Sequence, residues 1–140
     1  LCGLGTALDG MKGTAPGAAA GEALEAFSAA YSQVSEDGSG NFIFAPQAYD
    51  AVMLMAISAA ANGVTGPEIA SGLVAASSGG EKCIGVACIA LAADGVDVDY
   101  VGASGEIELN EAGDPTAATY DIWTTEGDVN PVLKSVDFGS

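Results

Sequence analysis

Hydrophobic positions along the chain change period near residue 96, and the change divides it into a helical part and a stranded part. Residues 21–33 place Leu24, Phe27, Ala30 and Tyr31 on one helical face, with Glu22 and Glu25 in the first turn, where the helix dipole favours anions. A polar turn cluster, Ser35-Glu36-Asp37-Gly38-Ser39-Gly40, ends that helix. Phe42-Ile43-Phe44 is a short extended apolar run, and Pro46 then opens a second helix to about Ala61. Tyr49, Val52, Met53, Ala56 and Ala60 follow helical spacing there, in a segment so apolar that neighbours are expected on more than one face. Thr65 and Glu68 form an S/T-x-x-E capping box that starts a third helix, which runs to about Ala76 and stops at Ser77-Ser78-Gly79-Gly80. A short fourth helix is predicted over residues 86–93, ending at Asp94-Gly95.

Two segments alternate with period two beyond that point: Ile107-Glu108-Leu109 and Thr119-Tyr120-Asp121-Ile122-Trp123-Thr124. The turn-rich stretch Asn110-Glu111-Ala112-Gly113-Asp114-Pro115 joins them, so a C-terminal β-hairpin is predicted. At the other end, residues 8–17 predict a strand running out into a Gly/Pro connector. Val136-Asp137-Phe138 is too short to classify. The uncharged stretch 51–61 covers about half of the roughly 20 residues that a membrane-spanning helix needs, and predicts a buried helix.

Charge narrows the function classes. Nineteen acidic residues face three basic ones, Lys12, Lys82 and Lys134, and the chain contains neither Arg nor His. Nothing here neutralises phosphates, which excludes nucleic acid as a partner, and an anionic membrane surface fits no better. Without histidine the commonest general base and metal ligand are missing, so no catalysis, cofactor or metal is expected. Ser104, in Gly102-Ala103-Ser104-Gly105, has no histidine to activate it and does not sit in a Gly-x-Ser-x-Gly elbow. Glu106 and Glu108 would share a strand face about 7 Å apart, a spacing that an exposed strand edge explains as well as glycoside chemistry. Asp97, Asp99, Gly102 and Glu108 occupy positions 1, 3, 6 and 12 of a calcium loop, but Val101 at position 5 offers no oxygen and a strand follows. A secreted acidic calcium-binding or structural domain is therefore the alternative function. The cysteines are Cys2, Cys83 and Cys88. Cys83 and Cys88 either bridge across a loop-to-helix junction or remain two small buried thiols, and with no histidine they make a poor zinc site.

Three stretches together resemble the C-terminal third of type I periplasmic solute-binding proteins, the Leu/Ile/Val-binding class of ABC importers. They are Leu8-Asp9-Gly10-Met11-Lys12-Gly13-Thr14-Ala15-Pro16, Ala48-Tyr49-Asp50-Ala51-Val52-Met53-Leu54-Met55-Ala56, and residues 99–115, where a Gly-x-Ser-Gly strand precedes an N-E-x-G-D loop. The resemblance implies an α/β fold, the C-terminal part of a two-lobed clamshell with helices packed on a mostly parallel sheet. It assigns residues 1–17 to the end of the far lobe and a crossover, 18–98 to the helical part of the near lobe, and 99–140 to the return crossover, hairpin and last strand.

The Cys83 and Cys88 pair resembles that of secreted actinobacterial-type members, which implies a disulfide. The implied function is extracytoplasmic capture of a branched-chain amino acid or related amide for an ABC permease, without catalysis. Most of the groups that grip the solute are implied to precede Leu1; the chain opens on Leu1-Cys2-Gly3 with no initiator Met and is taken as a C-terminal fragment. A lipid anchor would lie in the missing N-terminus, and a second copy of the fragment is expected to cover the apolar surface left bare. The implied contribution to the solute cleft is Phe42 or Phe44, with Gln47 after them; plain core packing is the equally open alternative for the two phenylalanines.

Overall fold

The computed structural model describes residues 5–35 and 43–139. A 3-10 turn at Gly5–Leu8 leads into β1 (Lys12–Pro16), followed by α1 (Glu22–Val34), α2 (Ala45–Asn62) and α3 (Gly66–Ala76). Then come β2 (Glu81–Ile84), α4 (Ala87–Ala93), β3 (Val98–Gly102), β4 (Gly105–Glu106), β5 (Ala118–Thr124) and β6 (Val132–Phe138). The strands form two sheets, ordered β2-β3-β4 and β1-β5-β6. The result is a mixed α/β fold of two units, compatible with part of a type I periplasmic-binding fold.

The helical unit owns the core. Met53, Leu54 and Ile57 of α2 pack with Ala76, Cys88, Ala92, Val98 and Tyr100 into one buried cluster. β2 and β3 pair in parallel through the α4 crossover, and β4 turns back antiparallel on β3. Residues 81–102 are thus one βαβ unit, in which α4 covers the pair from one face. Neither β2 nor β3 is among the strands predicted from the alternation, although Val98, Tyr100 and Gly102 alternate buried with half-buried neighbours.

The face of α2 that turns inward also differs from the one expected. α2 does meet α3, α4 and β3. Val52, however, is 59 % exposed, while Asp50, Met53, Leu54, Ile57 and Ser58 are buried. With almost every position apolar, the hydrophobic pattern could not choose a face; the polar contacts of Asp50 and Ser58 do. Ser58 Oγ donates to the Ile69 carbonyl at 2.7 Å and fastens α2 to α3. The α3 start carries the expected capping box: the Thr65 N–H and hydroxyl both donate to Glu68 Oε2, at 2.9 and 2.7 Å. On α1 only Phe27 is buried, and its ring lies 5.5 Å from that of Tyr31 and 5.3 Å from that of Tyr49.

The second sheet brings the two ends of the described chain together. β1 pairs antiparallel with β5, Lys12 opposite Thr124 and Pro16 opposite Tyr120, and β5 pairs with β6. Gly13 lies directly under the Trp123 ring, where any Cβ would collide with the indole. The hairpin is therefore β5 with β6. Ile107-Glu108-Leu109 is not a regular strand; its loop closes through a single bridge from Leu109 to Pro115. Leu109 instead packs against the helical core, and its N–H donates to the buried Ser77 Oγ at 3.1 Å.

Candidate functional site

The chain passes between the two units after β1 and again before β5, and the two passages are stitched at one place. The Gly17 N–H donates to the Thr119 carbonyl at 2.9 Å, and the Ala19 N–H to the Ser104 carbonyl at 3.1 Å. The anchor beneath them is Asp50, in the second turn of α2 and 2 % exposed. Its Oδ1 accepts from the Tyr100 hydroxyl at 2.8 Å and the Ala103 N–H at 2.7 Å. Its Oδ2 accepts from the Ser104 N–H at 2.8 Å and the Ser104 hydroxyl at 2.6 Å.

Four donors converging on one carboxylate are what lets a buried anion persist without a cationic partner. Gly102 is part of the same fit, since a Cβ there would stand 2.6 Å from Asp50 Oδ2. Burial, reinforced by the Asp50 charge and hydrogen bond, pushes the Tyr100 phenol well above its ordinary pKa, so it remains a donor. The Ser104 proton is directed at a carboxylate already filled by other donors. This arrangement fixes the end of β3 to α2.

Between the units lies a cleft of about 690 Å³, within the range usual for small-molecule sites. Leu54, Met55 and Leu73 wall it from the helices, Ile107 and Leu109 from the segment after β4, and Pro16, Tyr120 and Phe138 from the second sheet. Gln47, Asp50, Ser104, Glu106, Thr119 and Asp137 supply its polar edge. Gln47 Nε2 donates to the Gly17 carbonyl at 2.7 Å, a second tie between α2 and the passage after β1. A smaller cavity of about 310 Å³ sits at the C-terminal ends of β2 and β3, against Phe27 and Tyr49.

Of the residues expected to face a solute, Gln47 lines the larger cleft. Phe44 does not; it is 61 % exposed, immediately ahead of α2, with φ 64 in the left-handed region that a bulky residue seldom occupies. Phe42 lies outside the described residues, as does Cys2. Cys83 and Cys88 are joined by a disulfide whose Cα atoms are 5.4 Å apart, closing the loop from β2 into α4.

Asp99 does not stand in a cation loop: it pairs with Lys82 at 3.2 Å, and Glu106 pairs with the same ammonium at 2.6 Å. These two carboxylates hold the Lys82 ammonium above its ordinary pKa, Glu106 first. Among the described residues no group of three or more His, Cys, Asp or Glu is placed to hold a metal ion. The sequence singled out neither Asp50 nor Tyr100 as a site residue, and Ser104 only as a nucleophile without a histidine. Their signal was present in the Tyr49-Asp50 and Gly-x-Ser-Gly stretches, but a buried acid in a helix and a strand-end serine announce their meeting only once the fold brings them together.

One α/β unit and a three-stranded antiparallel sheet, joined by paired passages and facing each other across an apolar cleft with a few fixed polar groups, form the setting of a ligand-binding protein. The chain belongs to the family described as the receptor family ligand binding region, whose model matches residues 7–128, and so to the type I periplasmic-binding superfamily. No curated protein and no solved structure matches it at a significant level. Among the described residues no helix is long and apolar enough to cross a membrane.

Proposed function

We propose that the protein is the extracytoplasmic solute-binding component of an ABC importer, which takes a branched-chain amino acid or a related aliphatic amide and delivers it to a membrane permease. The observation that carries this proposal is the apolar cleft between the two units, formed by Leu54, Met55, Leu73, Ile107 and Leu109 on one side and Tyr120 and Phe138 on the other. Its walls suit a branched aliphatic body, and apolar burial supplies most of the affinity of such sites. The three stretches that resemble the Leu/Ile/Val-binding class support the same solute range. A disulfide within the helical unit fits an oxidising compartment outside the cytoplasm. The protein acts by holding its solute and not by transforming it: Ser104 and Asp50 are committed to each other, and the sequence has no histidine to serve as base.

The test is isothermal calorimetry on the full-length natural protein with leucine, isoleucine, valine and short aliphatic amides, with a sugar as control. Saturable heat from at least one aliphatic solute, together with a rise in melting temperature at saturating concentration, is the expected result. Stabilisation by calcium alone, with no response to any aliphatic solute, would overturn it.

A further inference from the structure

The sequence holds a single Asn-Gly dipeptide, Asn62-Gly63, and α2 ends on it. Asn-Gly is among the least durable of peptide sequences, because a backbone nitrogen with no side chain beside it readily attacks the asparagine amide. The fold nevertheless requires both residues. Gly63 has φ 118, and a Cβ there would stand 2.5 Å from Glu68 Oε2, the oxygen that caps α3. Asn62 Nδ2 donates to the Ser58 carbonyl at 3.1 Å and lies against Gly72 of α3, so closely that a Cβ on that glycine would collide with it.

The helix restrains the attack without abolishing it. The Gly63 N–H donates to the Ala59 carbonyl at 3.1 Å, and Asn62 is the last residue of α2. Closing a ring between the Gly63 nitrogen and the Asn62 side chain requires that hydrogen bond to break and the Asn62 backbone to leave its helical conformation. Asn62 is exposed, however, and a last turn is the part of a helix that opens most readily.

We infer that Asn62 is a site of spontaneous modification gated by the last turn of α2, where loss of the amide leaves a carboxylate that loosens α2 from α3. When the turn opens, the Gly63 nitrogen bonds to Asn62 Cγ and a five-membered succinimide forms. The bond from Cγ to Nδ2 breaks, and that nitrogen leaves as ammonia with the proton given up by Gly63. Water then opens the ring at either carbonyl, giving aspartate or isoaspartate.

The consequence passes through Ser58. Its hydroxyl proton is donated to the Ile69 carbonyl, while its oxygen faces Asn62 Nδ2 at 3.5 Å. A carboxylate at position 62 has no proton to donate, repels the Ser58 carbonyl and competes with Ile69 for the hydroxyl proton. It also stands at the negative end of the helix dipole, with no basic residue in the last turn. Leu54 and Met55 of α2 and Leu73 of α3 wall the cleft, so the loosening falls on its helical side.

The full-length protein, incubated at mildly alkaline pH either folded or unfolded in urea, tests this by peptide mass spectrometry across residue 62. Conversion of Asn62 is expected in both samples, at least about tenfold more slowly in the folded one. Equal rates would show that the helix is no gate, and conversion confined to urea would show that the turn does not open; either overturns the assignment. These rates are read on the unaltered chain, so they stand whether or not a variant folds. Asn62→Asp is expected to lower the melting temperature by about 2–4 °C, and by more than Asn62→Ala, which removes the amide without adding charge. If Asn62→Asp melts with the wild-type protein, or no lower than Asn62→Ala, the carboxylate does not unfasten the two helices.

Discussion

The two units hold themselves together in opposite ways. In the helical unit, Ile57 and Tyr100 are 1 % exposed and Cys88 is fully buried, within one cluster drawn from α2, α3, α4 and β3. In the second sheet, by contrast, every residue of β6 is exposed, including Leu133 at 51 % and Phe138 at 68 %. The first unit is fastened by apolar burial and the second by ladder hydrogen bonds between β1, β5 and β6. A strand that covers nothing, as β6 does, contributes little hydrophobic stabilisation of its own, whereas a side chain sealed in a core contributes roughly 1.5–3 kcal/mol. The candidate cleft forms where these two kinds of structure meet, so its rigid wall is the helical one.

The strongest polar fastening of the helical unit, at the edge of the cleft, is Asp50. Asp50→Ala would strand the Tyr100 hydroxyl, the Ala103 and Ser104 N–H groups and the Ser104 hydroxyl at once. The expected loss is about 4 kcal/mol in urea unfolding, with Asp50→Asn intermediate because an amide cannot accept from all four donors. A loss below about 1 kcal/mol would mean that the passage after β3 does not depend on this carboxylate.

The core itself sets the next largest difference. Ile57→Ala should cost about 3 kcal/mol, since it empties space between α2, α3 and β3. Phe138→Ala removes a larger side chain, yet should cost less than about 1 kcal/mol because that ring already stands in water. Equal losses at the two positions would erase the distinction between the units.

The sequence made this division legible only in part, and the misses have physical causes. The four helices were readable because caps and breakers mark their ends: the Thr65 and Glu68 box, Gly95 after α4, and Pro46 at the start of α2. β6 was not readable, because Val-Leu-Lys-Ser-Val-Asp-Phe buries nothing and is a strand only through its register with β5. β2 is four residues long, with two exposed and two half-buried, too short to show a period. Ile107 and Leu109 alternate as a strand would, but both turn toward the helical core, and the alternation records that contact and not a ladder. For the candidate site, Gln47 was within reach of sequence comparison. Asp50 and Ser104 were not, because 54 positions separate two residues whose pairing exists only after β3 has packed on α2.

The smallest expected effect tests whether local hydrogen bonding alone can stabilise an element of the better-packed unit. Glu68 accepts from both the hydroxyl and the N–H of Thr65, and these bonds, the hydroxyl first, hold its carboxyl below the usual carboxylate range. A depressed folded-state pKa means that the charged form is favoured by folding. The contribution is therefore complete above the unfolded-state pKa and disappears as pH falls through the lower folded-state value. Thermal melts from neutral to acid pH should show the wild-type protein losing slightly more stability through that window than Glu68→Gln, whose amide does not titrate there. The group is fully exposed, so the divergence should be small and should shrink further in high salt. If the two proteins lost stability in parallel across the whole range, the capping carboxylate would contribute nothing, and α3 would owe its position entirely to the packing of its inner face on α2.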